Sequence, residues 1–512
     1  MEEGRVAPPQ VNYDNVLPLA IESRSNRREF LPVNGQTFSN RNGATICRID
    51  VNADSMLDAT HSYLECEIVN NAAADNFLAL NNFTPSWIQR LRIESGGVVI
   101  EDINEYSRLY GMLSLCQCPK DYIKNNYSNL GLYKEHSSAN LNPANAAGGS
   151  IDVVTNGGKS AAAVNAVPTT ELMYNMSSRC VLSGLETTTD TGAPAAITNP
   201  TAGGLANVHN FSRIASGARR KMCIPLVSGF LNMDKYIPLI MMNAGFTIEL
   251  TLCDTNRIGL TQTEAAGAGG DNVTFVDSDW SIEAVRYVAH LIDLDRSFYD
   301  RLRMVMDSAG GVLQLAGQTY RHFSGVLGQG ASQFTINLPA RVRSVKSIFG
   351  TFLRSDQVGV NNCFDTSVYQ TANVTSFRFE IGSVRYPQTD VSCAGNDSQS
   401  QREAELDKAF GKIGDYSHQK AYAQKHTTNG QGVRNGATPN GSCLSAFFIG
   451  YDFEAFNRVM LEQGIDTASR SLPINCIINK DATAVADHRA DFYVLCDAIF
   501  YINLDGTASV GV

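Results

Sequence analysis

The chain has 512 residues, of which 43% are hydrophobic and 18% are charged, and its formal net charge is −10. One compact core does not reach this length, so two or three domains are expected. The acidic balance disfavours a protein that wraps nucleic acid over its whole surface, and no apolar run approaches the roughly 18 residues that a membrane-spanning helix needs.

The N-terminal residues MEEGRVAPPQ lack the basic and then apolar order of a secretory signal. We therefore expect synthesis and folding in a reducing compartment. The close pair Cys116 and Cys118 lacks the spacing, and the second pair, of a zinc site. Among the twelve cysteines, many lie in apolar strand patterns, where a free thiol packs as a small hydrophobe: Cys47, Cys66, Cys253, Cys476 and Cys496.

Three short basic clusters occur along the chain. Residues 1–42 contain five basic and five acidic residues, so the N-terminal arm as a whole is balanced. We interpret the clusters as solvated or ion-paired surface. Their members are Arg24, Arg27 and Arg28, then Arg219, Arg220 and Lys221, and finally Arg341, Arg343 and Lys346.

Strands dominate wherever a period can be recognised. In residues 45–52, Cys47, Ile49 and Val51 alternate with Arg48 and Asp50, which is typical of a half-buried strand. The same alternation predicts strands at 63–69, 246–254, 280–295, 334–339, 377–386, 472–479 and 492–505, and a hairpin at 88–100. Helical spacing predicts only four short helices, at about 104–116, 295–306, 402–413 and 452–463.

Long irregular insertions separate these elements, at about 119–220, 355–375 and 392–442. The first is poor in charge, with only seven charged residues between 137 and 218. Disordered segments usually carry much more charge, whereas depletion of charge is typical of buried interface centres. We therefore expect this insertion to order against neighbouring subunits.

The order of elements repeats at the scale of a domain. In each half a strand or hairpin precedes a short helix and a long insertion, and two long strands close the half. Many antiparallel strands of this kind indicate β-sandwiches, and eight strands in two facing sheets form a jelly roll. The predicted fold is all-β, with two antiparallel eight-stranded jelly-roll sandwiches in tandem. The expected boundaries are an arm at 1–42, a first roll at 43–295, a linker helix and connection at 296–318, and a second roll at 319–512.

Three segments resemble the double jelly-roll major capsid proteins of double-stranded DNA viruses, and the likeness is greatest to those of Polinton-like viruses and virophages. They are ESRSNRREFLPVNGQTFS at 22–39, WIQRLRIESGGVVIEDINEYSRLYGML at 87–113, and YDRLRMVMDSAGGVLQLAGQTYRHF at 299–323. The resemblance covers essentially the whole chain in order and length. The insertions match nothing in the family.

The resemblance implies a homotrimer in which six rolls form a nearly hexagonal capsomer that tiles an icosahedral shell in the virion. Implied partners are neighbouring capsomers, penton proteins and minor capsid proteins, together with a contact of the N-terminal arm with an internal membrane or the genome. Contacts within the trimer are expected to be large and mostly apolar, and those between trimers smaller and more polar. No small-molecule substrate, cofactor, metal or catalytic residue is implied.

Two alternatives share the fold class. A cupin-like metalloenzyme needs several ligands that converge from adjacent strands, but the eight histidines form no HxH or HxxxH pair, and His290 and His322 are expected to make local hydrogen bonds. A carbohydrate-binding protein needs aromatic platforms and paired acids in a cleft, whereas Trp87 and Trp280 both lie in core-like strand patterns. Four acids near the first hairpin are interpreted as a solvated strand edge and helix start rather than an acid–base pair: Glu94, Glu101, Asp102 and Glu105.

Overall fold

The structure is a computed structural model of the chain. It describes residues 22–74, 76–80, 84–117, 213–214, 216–264, 273–308, 310–361, 366, 369, 372–393, 399–410, 447–455, 463–469, 471–481 and 487–512. The greater part of the predicted insertions 119–220 and 392–442 lies outside these residues.

The first half of the chain forms two facing antiparallel sheets and one small sheet. Its strands are β1 (Ser23–Phe30), β2 (Thr37–Phe38), β3 (Ile46–Val51), β4 (Met56–Asn70), β5 (Asn76–Leu80), β6 (Ile88–Ser95), β7 (Val98–Asn104), β8 (Arg213–Ile214), β9 (Arg219–Ile224), β10 (Ile237–Pro238), β11 (Phe246–Leu252), β12 (Gly259–Glu264), β13 (Val273–Val276) and β14 (Trp280–Leu294). The larger sheet has the order β1-β14-β4-β10, with β2 on β14 and β9 on β4. The facing sheet has the order β3-β11-β6-β7, and the small sheet has the order β13-β12-β5-β8.

The second half repeats the two facing sheets. Its strands are β15 (Val312–Leu327), β16 (Gln333–Leu338), β17 (Val345–Arg354), β18 (Val374–Ile381), β19 (Val384–Ser392), β20 (Ile449–Asp452), β21 (Ile474–Lys480), β22 (His488–Asn503) and β23 (Ala508–Gly511). The larger sheet has the order β15-β22-β17-β20, with β23 on β22, and the facing sheet has the order β16-β21-β18-β19. In both halves the first strand therefore pairs with the last long strand, as the tandem jelly-roll prediction requires.

Alternating side chains build the two cores. In β3, Cys47, Ile49 and Val51 are buried, whereas Arg48 and Asp50 are exposed. The first core includes the fully buried ring of Trp87, and the second lies between the two sheets of the second roll. Strand β17 is the exception to alternation, because nine of its ten residues are buried. Other parts of the protein must therefore cover β17 on the face that points away from the core of the second roll.

The second hairpin corrects one sequence prediction. The single strand predicted at 377–386 is two strands, β18 and β19, joined through Gly382, which has φ +63°. Glycine is unstrained in this left-handed region, so it permits the tight turn. The first hairpin turns in the same way at Gly96 and Gly97, with φ +56° and +83°. The correction makes the two halves more alike.

Three helices are described: α1 (Tyr106–Gln117), α2 (Arg296–Ser308) and α3 (Gln399–Phe410). They lie within three residues of three predicted helices. The fourth prediction, 452–463, begins on the last residue of β20, and residues 456–462 lie outside the described part of the chain. Residues 23–30, within the predicted arm, form β1, which pairs with β14 over its full length because sheet pairing satisfies its backbone groups on one side.

The two rolls stand side by side with their strand ends aligned. At one end, the Asn243 side-chain amide donates to the carbonyl of Asp505 at 2.7 Å, and the backbone nitrogen of Asn243 donates to the carbonyl of Gly506 at 3.2 Å. We call this the base end; it carries both hairpin turns and α2. At the opposite end, the Asn361 side-chain amide donates to Asp277 at 3.2 Å.

Replacement of Trp87 by alanine should lower the free energy of unfolding by about 3–5 kcal/mol, because the fully buried ring leaves a cavity. Urea denaturation of the purified protein measures the change. Tyr236→Ala is the matched control, since Tyr236 is 47% exposed and should change stability little. Equal losses for the two variants would contradict the placement of Trp87 in the core.

Candidate functional site

The four acidic residues near the first hairpin do not converge on one site. Glu94 pairs with Arg92 at 2.5 Å, and Arg90 donates to Asp102 at 2.7 Å, at the partly exposed strand surface. The interpretation as a solvated strand edge therefore holds for Glu94 and Asp102. It is wrong for two others, which are buried against the second roll: Glu101 and Glu105.

Glu101, on β7, is held where the rolls meet. Its carboxylate accepts hydrogen bonds from the backbone nitrogen of Gly229 and the hydroxyl of Thr319, both at 2.9 Å, and from the hydroxyl of Ser228. Burial raises the pKa of Glu101 above its usual range, although these hydrogen bonds oppose the rise. Because Thr319 belongs to β15, the carboxylate joins the first roll to the second.

The loop that carries Gly229 lies directly on the backbone of the second roll. A Cβ atom added to Gly229 would stand 1.3 Å from the carbonyl oxygen of Gln318, so only glycine permits this approach. The next residue, Phe230, packs edge-on between Phe246 of the first roll and Phe500 of the second, with centroid distances of 5.5 and 5.3 Å. The rolls therefore share one continuous apolar cluster.

Glu105 forms a second buried contact across the junction between the two rolls. It pairs with Arg257 of the first roll at 2.7 Å and with Arg489 of β22 at 2.9 Å. Burial alone would raise the pKa of Glu105, but the two guanidinium groups outweigh it and lower the pKa to about 2. The Tyr493 hydroxyl also donates to the backbone carbonyl of Glu105 at 2.8 Å.

Asp491 lies beside these ion pairs and contacts three basic side chains. Arg108 of α1 lies 3.0 Å from its carboxylate, His322 of β15 lies at 3.0 Å, and Arg489 lies at 2.9 Å. Burial opposes ionisation, but the His322 hydrogen bond and the two guanidinium groups hold the pKa of Asp491 well below its usual range. Since Arg108 belongs to the first roll, Asp491 connects the two rolls. Sequence patterns gave no sign of this network, because its members are far apart in the chain.

The corresponding face of the first roll carries charged side chains instead. On the outer side of β1, β4 and β14, Glu65 pairs with Lys221 and Arg286, both at 2.5 Å, and Glu29 pairs with Arg286 at 3.0 Å. Burial would raise the pKa of Glu65, but the hydrogen bonds from Lys221 and Arg286 lower it. In β1, every residue except Phe30 is exposed. No other part of the described chain covers this strand as the first roll covers the second.

The basic clusters predicted from sequence lie in different environments. Arg24, Arg27 and Arg28 are exposed on β1, and Arg27 pairs with Glu29 at 3.0 Å. Lys221 and Arg219 pair with acids of the charged face. Lys346 is buried and pairs with Glu454 at 2.6 Å. Arg341 and Arg343 are exposed at the base end.

The residues considered for a metal site or a carbohydrate site do not come together in the structure. His322 pairs with Asp491, whereas the His290 ring lies 6.1 Å from that of His61. Trp280 is buried, like Trp87. Among the described residues, no group of three or more histidine, cysteine, aspartate or glutamate side chains is arranged to hold a metal ion. Eight cysteines are described, and seven of them are buried; burial raises the pKa of Cys47 to about 12.

Two tandem jelly rolls joined through such a junction define a double jelly-roll protein. The sequence matches no protein-family model and no curated protein. Several solved structures of viral capsid proteins share the fold. The chain matches a quasi-atomic model of the PBCV-1 virus capsid with a TM-score of 0.52 and 9% identity, over 98% of this chain and 99% of that chain.

The cryo-EM structure of the Sputnik virophage matches with a TM-score of 0.51 and 10% identity, over 99% of this chain and 92% of that chain. The Faustovirus major capsid protein matches with a TM-score of 0.50 and 8% identity, over 97% and 93% of the two chains. At these identities the likeness is one of fold. The predicted resemblance to double jelly-roll major capsid proteins is confirmed at that level.

Replacement of Glu105 by glutamine should lower the free energy of unfolding by about 3–5 kcal/mol at neutral pH, because Arg257 and Arg489 lose a buried partner. The folded pKa of about 2 lies below the ordinary value of 4.5, so the stabilisation is present above pH 4.5 and disappears as the pH falls towards 2. Urea denaturation at a series of pH values measures this. A difference between wild type and variant that stays constant down to pH 2 would refute the ionised pairing.

Replacement of Gly229 by alanine should destabilise the protein by more than about 3 kcal/mol, because the new methyl group would overlap the Gln318 carbonyl. Gly328→Ala is the matched control, since a Cβ atom there meets its nearest neighbour at an ordinary 3.6 Å. Thermal denaturation compares the two. A Gly229→Ala variant as stable as the control would show that the loop does not press on the second roll.

Proposed function

We propose that the chain is the major capsid protein of an icosahedral double-stranded DNA virus, and that three copies form a pseudo-hexagonal capsomer. The observation that carries the proposal is the repeated roll, with the same strand order in both halves and the rolls side by side. The likeness to viral capsid proteins over nearly the whole of each chain supports it.

The unequal faces of the two rolls support assembly of several copies. The first roll covers the outer face of the large sheet in the second roll, where the apolar side chains of Phe349 and Tyr493 lie beside the charged pair Arg489 and Asp491. Within the described part of the chain, no second roll covers the equivalent face of the first roll, on β1, β4 and β14. If the contact within one chain repeats between chains, the second roll of another copy covers this face. A head-to-tail contact of this kind closes into a ring when its rotation permits.

The proposed contact between copies contains ion pairs, as does the contact within one chain. The open face presents Glu29, Glu65, Lys221 and Arg286, so its contact is more polar than the mostly apolar trimer interface predicted from sequence. In the assembled shell, penton and minor capsid proteins would complete the vertices and the inner surface. The role is structural and has no catalytic step, and the protein is located in the virion.

The purified protein should sediment as a particle of three times the 55.6 kDa mass of the chain, and negative-stain images should show hexagonal outlines. Replacement of Ser25 by tryptophan should reduce the trimer fraction at least about tenfold, because a bulky ring on exposed β1 separates the faces. Analytical ultracentrifugation measures both.

Ser332→Trp is the matched control, since Ser332 is also exposed but lies in the loop between β15 and β16. It should leave the trimer intact, and circular dichroism should show native β content in both variants. A wild-type monomer at micromolar concentration, or equal loss of trimer in the two variants, would overturn the assembly proposed here.

A further inference from the structure

A buried lysine lies between two buried carboxyl groups in the second roll. Lys346 is on β17, and its amine nitrogen lies 2.6 Å from the Glu454 carboxylate and 3.5 Å from the Asp497 carboxylate. Asp497 is on β22, the neighbour of β17 on one side, and Glu454 follows β20, the neighbour on the other side. The side chains of the lysine, the glutamate and the aspartate are only 7%, 7% and 4% exposed. Three groups that can exchange protons therefore share one site that is nearly closed to solvent.

Neighbouring residues hold the lysine and the glutamate in this position. The backbone nitrogen of Phe453 donates to the carbonyl of Lys346 at 2.7 Å, so Glu454, the next residue, is fixed beside β17. Phe453 and Val345 are both buried in the core of the second roll. A buried site strengthens electrostatic contacts and excludes the water that would compete for them. The amine and the two carboxyl groups therefore stay within reach of one another.

The two oxygen atoms of the Asp497 carboxyl group have different neighbours. Oδ1 faces the Lys346 amine, whereas Oδ2 accepts a hydrogen bond from the Ser344 hydroxyl at 2.7 Å. The Asp497 backbone nitrogen also donates to the Ser344 carbonyl at 3.2 Å. A donor on the oxygen that gains charge stabilises the intermediate of acyl transfer. The amine nitrogen is 3.5 Å from Oδ1, close to the separation of about 3–3.5 Å at which reacting atoms stand before a bond forms.

A small cavity adjoins the Asp497 carboxyl group. Its volume is about 10 Å³, and Ser344, Ile499 and Tyr501 contribute to its lining. A volume of this size is about the least that holds one water molecule. The site therefore has room for a single small product beside the carboxyl group, although the three ionisable side chains are themselves nearly inaccessible.

We propose that Lys346 and Asp497 form an intramolecular isopeptide bond, and that Glu454 transfers the protons. Glu454 carries two protons in succession from Nζ to Oδ1. The first transfer frees the lone pair of the amine and makes the Asp497 carboxyl group neutral, and the second follows the formation of the bond between Nζ and Cγ. The bond between Cγ and Oδ1 then breaks and one water molecule leaves. An ammonium and a carboxylate thus become an amide and water, so the step needs no oxidant, reductant or activating co-reactant.

The bond joins β17 to β22 covalently and closes a long loop of the chain, which contains the predicted insertions 355–375 and 392–442. A cross-link that closes such a loop restricts the unfolded chain and so favours the folded state. The inference goes beyond the proposed capsid function, because a capsomer can form without this bond. The step is a single modification of the chain by its own residues and acts on no other substrate.

Intact mass spectrometry of the denatured full chain tests the proposal. Wild-type protein should be lighter than its sequence by the mass of one water molecule, and a protease digest should contain a branched peptide that joins Lys346 to Asp497. The Lys346→Arg and Asp497→Ala variants should have their full sequence masses, because the guanidinium stays charged and alanine has no carboxyl group. A Glu454→Gln variant should contain at least about tenfold less of the linked product, because it lacks the proton carrier.

The Asp497→Asn variant distinguishes the reaction from a simple ion pair. A side-chain amide at this position condenses with the amine by release of ammonia, so the linked variant should have the same mass as linked wild type. Circular dichroism and sedimentation of every variant separate loss of the bond from loss of fold or trimer.

Lys480→Arg is the matched control, since Lys480 is also buried but donates to the carbonyl of Gly328 at 2.6 Å. It should retain the mass deficit of the wild type. A wild-type chain with its full sequence mass and no branched peptide would show that Lys346 makes ion pairs only. That result, or a mass deficit that persists in Lys346→Arg, would overturn the proposal and leave the capsid assignment unaffected.

Discussion

The buried contact between the two rolls is the constraint on which the rest of the structure depends. Glu105 and Asp491 are buried carboxylates, and Arg108, Arg257 and Arg489 pair with them from both halves of the chain. Removal of one partner leaves an uncompensated charge in a medium of low dielectric. Beside them, Gly229 brings backbone onto backbone. Charge pairing and close approach together fix one relative position of the rolls.

This contact explains why two similar rolls have different surfaces. The first roll covers the outer face of β17 and β22, so β17 is buried on both sides and the charges of β22 on this face are paired. The outer face of β4 and β14 is charged, and within the described part of the chain no second roll covers it. The two similar rolls therefore have different outer faces. The first roll covers the outer face of the second, and no described part of the chain covers the equivalent face of the first in this way. Direction is what a head-to-tail ring requires.

The two ends of the block differ as well. Both long insertions leave from the end opposite the hairpin turns, whereas α2, the open glycine turns and the C-terminal strand lie at the base end. The protein therefore has one end at which the insertions leave and one end built from regular turns and a helix. The base end exposes large apolar side chains, and in a shell the two ends would face different environments.

The sequence by itself determined the fold class, because period-2 alternation decides which side of a strand is buried. It also predicted three of the helices and the repeated order of elements, and the core positions of Trp87 and Trp280. Alternation continues through a tight turn, however, so the β18–β19 hairpin was predicted as one strand. Glu101 and Glu105 were predicted to be solvated, because a local pattern cannot show that a second domain covers a strand edge. Only the tertiary structure decided the junction, since its residues meet across as many as 388 positions of the chain, and pairing over such separations depends on how the domains pack.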